Sequence, residues 1–387
     1  MKKFISIMLA TVMTLSLVAC SNGEGGNGTG GTGSEDTIKI GVFLPLTGES
    51  AGGGELEKMG IDIAHELYPE VLGKKIELVV ADNKSDKAEA AAAASRLIEK
   101  DKVVAILGSY GSSLSMAAGE VVKSAQVPAV STSATNPQVT FDNDFYFRTC
   151  FIDPYQGSVM ANYAMNDLGA KTAVILQEIS NDYSVGLANF FATAFKEVNG
   201  EDSIVNIYNY QSNDKDFSAQ LTNIKADNPD VVFAPGGFTE SALAIKQARQ
   251  MGIETPFLGG DTWETNDFLS VGGAEVEGAT LSTAFARESA NTEESKIFLE
   301  AYDKNNDEEP SALTALGYDT YLMVRDAIER ANSADPIAIR DALAETVDFE
   351  GATGLTTLDE NGDAIKPAVI KEVKDGKFQY KQTVSTN

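Results

Sequence analysis

The chain is poor in the residues that most often do chemistry. Among its 387 residues are one histidine, His65, and two cysteines, Cys20 and Cys150. A histidine- or cysteine-based metal site needs three or four such ligands, so no metal is expected. A histidine-based catalytic triad would rest on His65 alone. Ser212-Asn213-Asp214-Lys215 matches S-x-x-K, but no S-D-N or K-T-G companion and no G-x-S-x-G elbow accompanies it. No enzymatic activity and no cofactor are expected. Cations are also scarce, 30 against 57 acidic residues, for a formal charge of −27. That balance argues against nucleic acid and against anionic lipid surfaces as partners, and is read as a solvated acidic exterior and not as the mark of a cationic ligand. After the N-terminus no apolar run approaches the ~20 residues that span a bilayer.

What is present begins with an address. Lys2 and Lys3 precede a short apolar stretch that closes on Leu17-Val18-Ala19-Cys20, the layout of a secretory signal over residues 1–19. A cysteine just after the cut is similar to a bacterial lipobox, in which that cysteine becomes the lipid-modified first residue. Residues 20–36 then read as lipidated Cys20 and a flexible Gly/Ser/Thr/Asn linker with a reach of roughly 20–25 Å. The expectation is an extracytoplasmic body tethered to the cell membrane by lipid. With Cys20 acylated, Cys150 has no disulfide partner and reads as a small buried hydrophobe.

The body alternates strands with amphipathic helices. Strand-like runs at Ile38–Leu44, Ile76–Val80, Val103–Leu107, Ala129–Ser131, Thr172–Leu176, Ile204–Tyr210 and Val231–Ala234 are separated by helical spacing at Leu56–Leu67, Lys87–Glu99, Ser113–Ser124, Ala161–Leu168, Val185–Val198 and Phe217–Ala226. Three more helices, at Glu294–Lys304, Ala312–Asn332 and Ile337–Glu345, precede two final β-like runs. This predicts an α/β fold of two Rossmann-like lobes with parallel central sheets, since the length exceeds what one core usually serves. An internal echo supports the division. Val103–Leu107 and Val231–Ala234 each run into a Gly-rich turn and a helix, which places polar turns on the rim where α/β sheets bind ligands.

Three rim segments carry candidate chemistry. Gly111-Ser112-Ser113 opens a helix, where free N–H groups and the helix dipole favour an anion; ordinary N-capping is the alternative. Ser131-Thr132-Ser133-Ala134-Thr135-Asn136-Pro137 is dense in hydroxyls, and a plain ST- or Asx-turn is the alternative. Gly259-Gly260-Asp261-Thr262-Trp263 offers a carboxylate to an ammonium and an apolar wall in Trp263, or else Asp261 merely caps a helix. Together they describe a receptor for a zwitterion.

At this point the chain resembles the branched-chain amino-acid-binding proteins of ABC importers, solute receptors of the type I periplasmic-binding fold. The resemblance rests on Ile38-Lys39-Ile40-Gly41 with Pro45-Leu46-Thr47-Gly48, on Ser133 to Pro137, on Lys246-Gln247-Ala248-Arg249 and on Gly259-Gly260-Asp261, and runs from Thr37 to the C-terminus. It implies two lobes joined by a hinge, 37–155 with 284–352 and 156–283 with 353–387. It also implies a monomer that receives an amino acid in the cleft and delivers it to a membrane permease; a sensory receptor, or a receptor for an amide, urea or small carboxylate, is the alternative. Ser112 and Thr135 would hold the α-carboxylate, with Gly111 in the same turn. Backbone at Ser133 and Ala134, with Asp261, would hold the ammonium. Tyr183 would close over the ligand, with Phe238 and Trp263 nearby. Two positions depart from the family pattern: Gly53 and Gly237 stand where many relatives carry aromatics, which should widen or reshape the side-chain pocket. The disulfide some relatives carry near Ser85 and Gly111 is absent.

Overall fold

The computed structural model describes residues 37–386; Cys20, the signal-like run and the linker lie outside the described residues. The chain opens with β1 (Thr37–Leu44), α1 (Ala51–Leu67), β2 (Glu70–Val71), β3 (Lys74–Asp82), α2 (Lys87–Ser95), β4 (Ala105–Leu107), α3 (Ser112–Ala125), β5 (Ala129–Ser131) and β6 (Tyr146–Arg148). These strands form a six-stranded sheet in the order β2-β3-β1-β4-β5-β6, parallel except at β2. β1 is buried on both faces through Ile38, Ile40, Val42, Phe43 and Leu44, the near-continuous apolar run a central parallel strand requires.

The second sheet is built from α4 (Asp153–Asn166), β7 (Ala173–Glu178), α5 (Asp182–Asn199), β8 (Ile204–Tyr210), α6 (Ser218–Asp227), β9 (Val231–Phe233), α7 (Phe238–Gln250), β10 (Phe257–Gly259), α8 (Asn266–Gly272) and β11 (Thr280–Thr283). The chain then returns through α9 (Glu293–Tyr302), α10 (Ala312–Ala331) and α11 (Pro336–Ala344), and α10 packs on α1 and the first sheet. β12 (Phe349–Gly351), β13 (Gly354–Leu358) and β14 (Ala364–Ile365) form a small antiparallel sheet. β15 (Ala368–Lys374) and β16 (Lys377–Val384) complete the second sheet as antiparallel strands, in the order β16-β15-β11-β10-β9-β7-β8. The two-lobed α/β architecture is therefore present. No helix among the described residues is long and apolar enough to cross a membrane.

The structure corrects several element boundaries. The stretch Gly48–Gly54 reads as loop in the sequence, yet α1 starts at Ala51 and takes in three glycines. A Cβ at Gly54 would lie 2.1 Å from the Pro45 carbonyl oxygen, so the first turn presses on the end of β1 where only glycine fits. α4 starts at Asp153, eight residues before the periodic segment, with Pro154 in the first turn where its missing N–H costs nothing. Cys150 is 1% exposed, in the first core, where burial pushes its thiol pKa up.

We place the crossings between lobes at 149–152, 284–286 and 366–367. The third lies beyond the expected 352/353 division because residues 354–365 stay with the first lobe. Arg148 N–H donates to the Gly362 carbonyl at 3.1 Å, and the Arg148 guanidinium lies 2.7 Å from Asp363. Lys366 in this third crossing donates to the Thr149 carbonyl in the first at 2.9 Å, tying two crossings together.

α1 and α10 cross at two glycines. A Cβ at Gly60 would meet the Thr314 oxygen at 1.8 Å, and one at Gly317 the Glu57 oxygen at 2.1 Å. Gly317→Ala should therefore destabilise the protein by about 1–3 kcal/mol, the usual overpacking cost, read as a lower urea midpoint. An unchanged midpoint would show that the helices can part without penalty.

Candidate ligand-binding site

The C-terminal ends of β4, β5, β7, β9 and β10 face one another across the cleft, and the turns that follow them line one cavity. Its walls include Ser50, Tyr110, Gly111, Ser112 and Ser133 from the first lobe and Glu178, Tyr183, Gly237, Phe238 and Thr262 from the second. The lobes touch. Asp182, at the start of α5, accepts from Ser113 Oγ at 2.8 Å and from Lys87 Nζ at 2.8 Å, while its carbonyl accepts from Asn136 Nδ2 at 2.9 Å. At the other side Asn213 Nδ2 donates to Glu49 at 2.8 Å.

On the first-lobe rim, Gly111 has φ +89°, a conformation suited to glycine, and hands the chain into α3. Ser112 Oγ accepts from the Asn136 N–H at 3.2 Å and so joins this turn to the 131–137 segment. Thr135 is fully buried, and its hydroxyl opposes the rise in the pKa of the neighbouring Asp153 carboxyl. Ala134 does not face the cavity: it is 1% exposed and its carbonyl accepts from Arg148 at 2.6 Å. The 131–137 segment is thus held from behind by a buried arginine.

On the second lobe, Asp261 sits directly behind Tyr183. It accepts from Tyr183 Oη at 2.9 Å and from Gln156 Nε2 at 2.8 Å. Burial pushes its pKa up to about 6, with the Gln156 and Tyr183 hydrogen bonds opposing the rise. Trp263 is elsewhere. It is fully buried in the second core, stacked on Phe268 with ring centroids 4.9 Å apart, and does not line the cavity. Its bulk fills the space over Gly259, where an added Cβ would meet the indole at 2.3 Å, so a lone Trp after a Gly-Gly-Asp turn is here a core residue.

The glycine departures have a specific outcome. A Cβ at Gly53 would lie 2.5 Å from the Tyr110 ring, so Tyr110 occupies the room that an aromatic at 53 would need. Tyr110, from the turn after β4, supplies an aromatic wall to the cavity there. At Gly237 the space is bordered by Glu240 and Glu178 carboxylate oxygens, 3.0 and 3.4 Å from the Cβ position.

Glu57 also stands at the site, without belonging to any of the three rim segments. It is fully buried on α1, one oxygen receives the Ser133 hydroxyl, and the other has no partner among the described residues. Burial pushes its pKa up to about 8, and the charge of Asp261 adds to the rise. Asp153, at the start of α4, is likewise raised to about 8, by burial first and then by Asp261. The signal for Glu57 was its position: with Ile61 and Ala64 it falls on the buried stripe of an amphipathic helix, where a carboxylate is out of place.

Glu57 makes stability depend on pH. In the unfolded chain it ionises near 4.5; in the folded protein it holds its proton to about 8. Between these values the folded state binds the extra proton, so stability falls as pH rises from 4.5 to 8. Glu57→Gln should remove this loss, raising the melting temperature of the ligand-free protein at about pH 8.5 by the equivalent of a few kcal/mol and not at about pH 4. An equal shift at both pH values would mean that packing, not charge, sets the effect.

Comparison with known proteins identifies the family and the fold. The model of the family described as periplasmic binding protein matches residues 37–377. A leucine binding protein from Thermotoga maritima superposes with a TM-score of 0.87 at 42% identity, covering 90% of this chain and 99% of that one. The branched-chain amino acid transporter substrate binding protein of Streptococcus pneumoniae, solved with isoleucine, gives a TM-score of 0.84 at 34% identity with the same coverage. A Leu/Ile/Val-binding protein homolog of Brucella melitensis is 28% identical over 347 residues, 88% of this chain and 92% of that protein.

Proposed function

We propose that this chain, which belongs to the periplasmic binding protein family, is the extracytoplasmic receptor of an ABC importer and carries an α-amino acid in the cavity between its lobes to a membrane permease. The observation that carries this reading is the pairing of opposite demands around the cleft. Near the start of α3, Ser112 and the buried Thr135 hydroxyl suit a carboxylate, aided by the helix N-terminus. Beside Tyr183 the buried Asp261 carboxylate, and behind Ser133 the Glu57 carboxyl that an ammonium would help to ionise, meet no lysine or arginine among the residues that line the cavity, which suits an ammonium. Ser133 bridges the two ends.

The binding step is closure. A ligand that contacts both lobes at once favours the closed arrangement by its differential affinity, and a permease can read that shape. The ligand leaves unchanged, so the chain acts as a carrier and not as an enzyme. We further assign Cys20 as the lipid anchor and Ser21 to Asp36 as the tether that keeps a monomeric receptor near its permease; Leu17-Val18-Ala19-Cys20 supports this.

A thermal-shift screen of the mature protein over the amino acids tests the reading. A ligand present at about 100 times its dissociation constant should stabilise by about 2.7 kcal/mol. A shift with an amide, a urea or an aromatic acid and with no amino acid would overturn it.

A further inference from the structure

The cavity has a second acidic zone, away from the head-group residues. Glu49 from the first lobe and Glu178 and Glu240 from the second line its side-chain end, around Gly237 and Phe238. Glu178 and Glu240 are 3% and 7% exposed. Hydrogen bonds hold them in place but use only part of their capacity. Glu178 accepts from the Gly237 N–H at 3.0 Å, from Asn181 Nδ2 at 3.3 Å and from Ser212. Glu240 Oε1 accepts from the Asn213 N–H at 2.8 Å, and Glu49 Oε2 from Asn213 Nδ2 at 2.8 Å. Among the described residues no protein donor meets Glu240 Oε2, and no salt bridge includes any of the three.

What makes this more than an acidic cluster is Glu240, which is buried, lines the cavity and has an Oε2 that no protein donor meets among the described residues. Glycine at 237 adds no side chain here, and a Cβ would already crowd the Glu240 and Glu178 carboxylate oxygens at 3.0 and 3.4 Å. Beneath the adjoining Gly236 the buried Tyr210 hydroxyl pairs with Ser241, within the field of Glu178 and Glu240. Burial, and after it the crowding of like charges, pushes the Glu49 and Glu240 carboxyls up. A cation placed among them would relieve that repulsion.

Resting on the amino-acid reading above, we propose that the ligand's side chain ends in a nitrogen cation, an ammonium or guanidinium, received by Glu178, Glu240 and Glu49. Asp261 and Glu57 hold the α-ammonium, Ser112 and Thr135 the α-carboxylate, and the apolar stem of the side chain lies between Tyr110 and Phe238. Branched aliphatic side chains would instead leave two buried carboxylates facing hydrocarbon, a penalty that weakens their binding.

Titration calorimetry on the mature protein compares L-lysine, L-ornithine and L-arginine with L-norleucine and L-leucine. Norleucine has the lysine stem without the amine. At least one of the cationic amino acids should bind about tenfold or more tighter than norleucine, and the ratio should shrink in Glu178→Gln and Glu240→Gln. Leucine or norleucine binding more tightly than all three would overturn the cationic subsite while leaving the amino-acid reading intact. Nε-acetyl-lysine binding as well as lysine would also overturn it, because charge would not be what is read. Binding of none of these, with binding of an acid or an amide, would overturn both.

Discussion

Asp261→Asn is expected to weaken amino-acid binding by about 2–5 kcal/mol, roughly thirtyfold or more, with little change in melting temperature. Asparagine keeps an oxygen where Tyr183 Oη and Gln156 Nε2 now donate, at 2.9 and 2.8 Å, so the local packing survives. What is lost is the charge. In a closed, nearly dry cleft an α-ammonium without a counter-ion loses its hydration with little compensation. Calorimetry at about pH 8 reads the effect, since the Asp261 carboxyl, raised by burial to about 6, is ionised there. Below about pH 6 wild-type affinity should itself decline as Asp261 takes up a proton, and the two proteins should converge. An Asn variant that binds as tightly as wild type at the higher pH would remove Asp261 from the head-group site.

The second large effect is expected at a residue that does not face the cavity. Arg148 is fully buried. Its guanidinium donates to the carbonyls of Ala134 and Asn136 at 2.6 and 3.1 Å and to Thr140 Oγ1 at 2.8 Å, and faces Asp363 at 2.7 Å. It therefore fastens the 131–137 segment, which presents Ser133 and Thr135, to the strand pair 354–365. Arg148→Met leaves Asp363 buried without its cation and frees two carbonyls. A loss of about 3–5 kcal/mol of stability is expected. Ligand affinity should fall too, because the head-group donors are no longer fixed. The double variant Arg148→Met with Asp363→Leu should regain part of the stability, since an apolar pair tolerates burial that a lone carboxylate does not, and not the affinity. Equal recovery of both would show that Arg148 acts on the fold alone.

Much of the fold was legible because it rests on period. Val103–Leu107 and Val231–Ala234 are short apolar runs flanked by Gly-rich turns, and β4 and β9 stand where those runs predict. Elements were missed where local propensity yields to a tertiary contact. The first turn of α1 contains three glycines, poor helix formers, and exists because α1 must touch Pro45 and Tyr110. β12 to β14 are too short to show a period.

The candidate site divides in the same way. Ser112, Ser133 and Tyr183 lie on turns that follow strands, so topology alone directs them to the cavity they line. Asp153 comes from a helix start and reads as an ordinary capping position, whereas Glu57 stands out only once the apolar stripe of α1 is traced through Ile61 and Ala64. Trp263 shows the opposite error. Asp261 stands behind Tyr183 and Thr262 lines the cavity, but the 3-10 turn they share sends the Trp263 indole into the core. Tyr110 could be connected with Gly53 only in three dimensions, since the two are distant in sequence and in contact in space.

If the cleft recognises both charges of a zwitterion at once, removing either charge from the ligand must weaken binding. The most direct measurement is calorimetric titration of the mature protein with the preferred amino acid and with two trimmed analogues, the carboxylic acid lacking the α-amine and the amine lacking the carboxylate. Each analogue is expected to bind at least about thirtyfold more weakly than the intact amino acid. An acid that bound as tightly as the amino acid would contradict dual recognition, because Asp261 and Glu57 would then have no ammonium to hold.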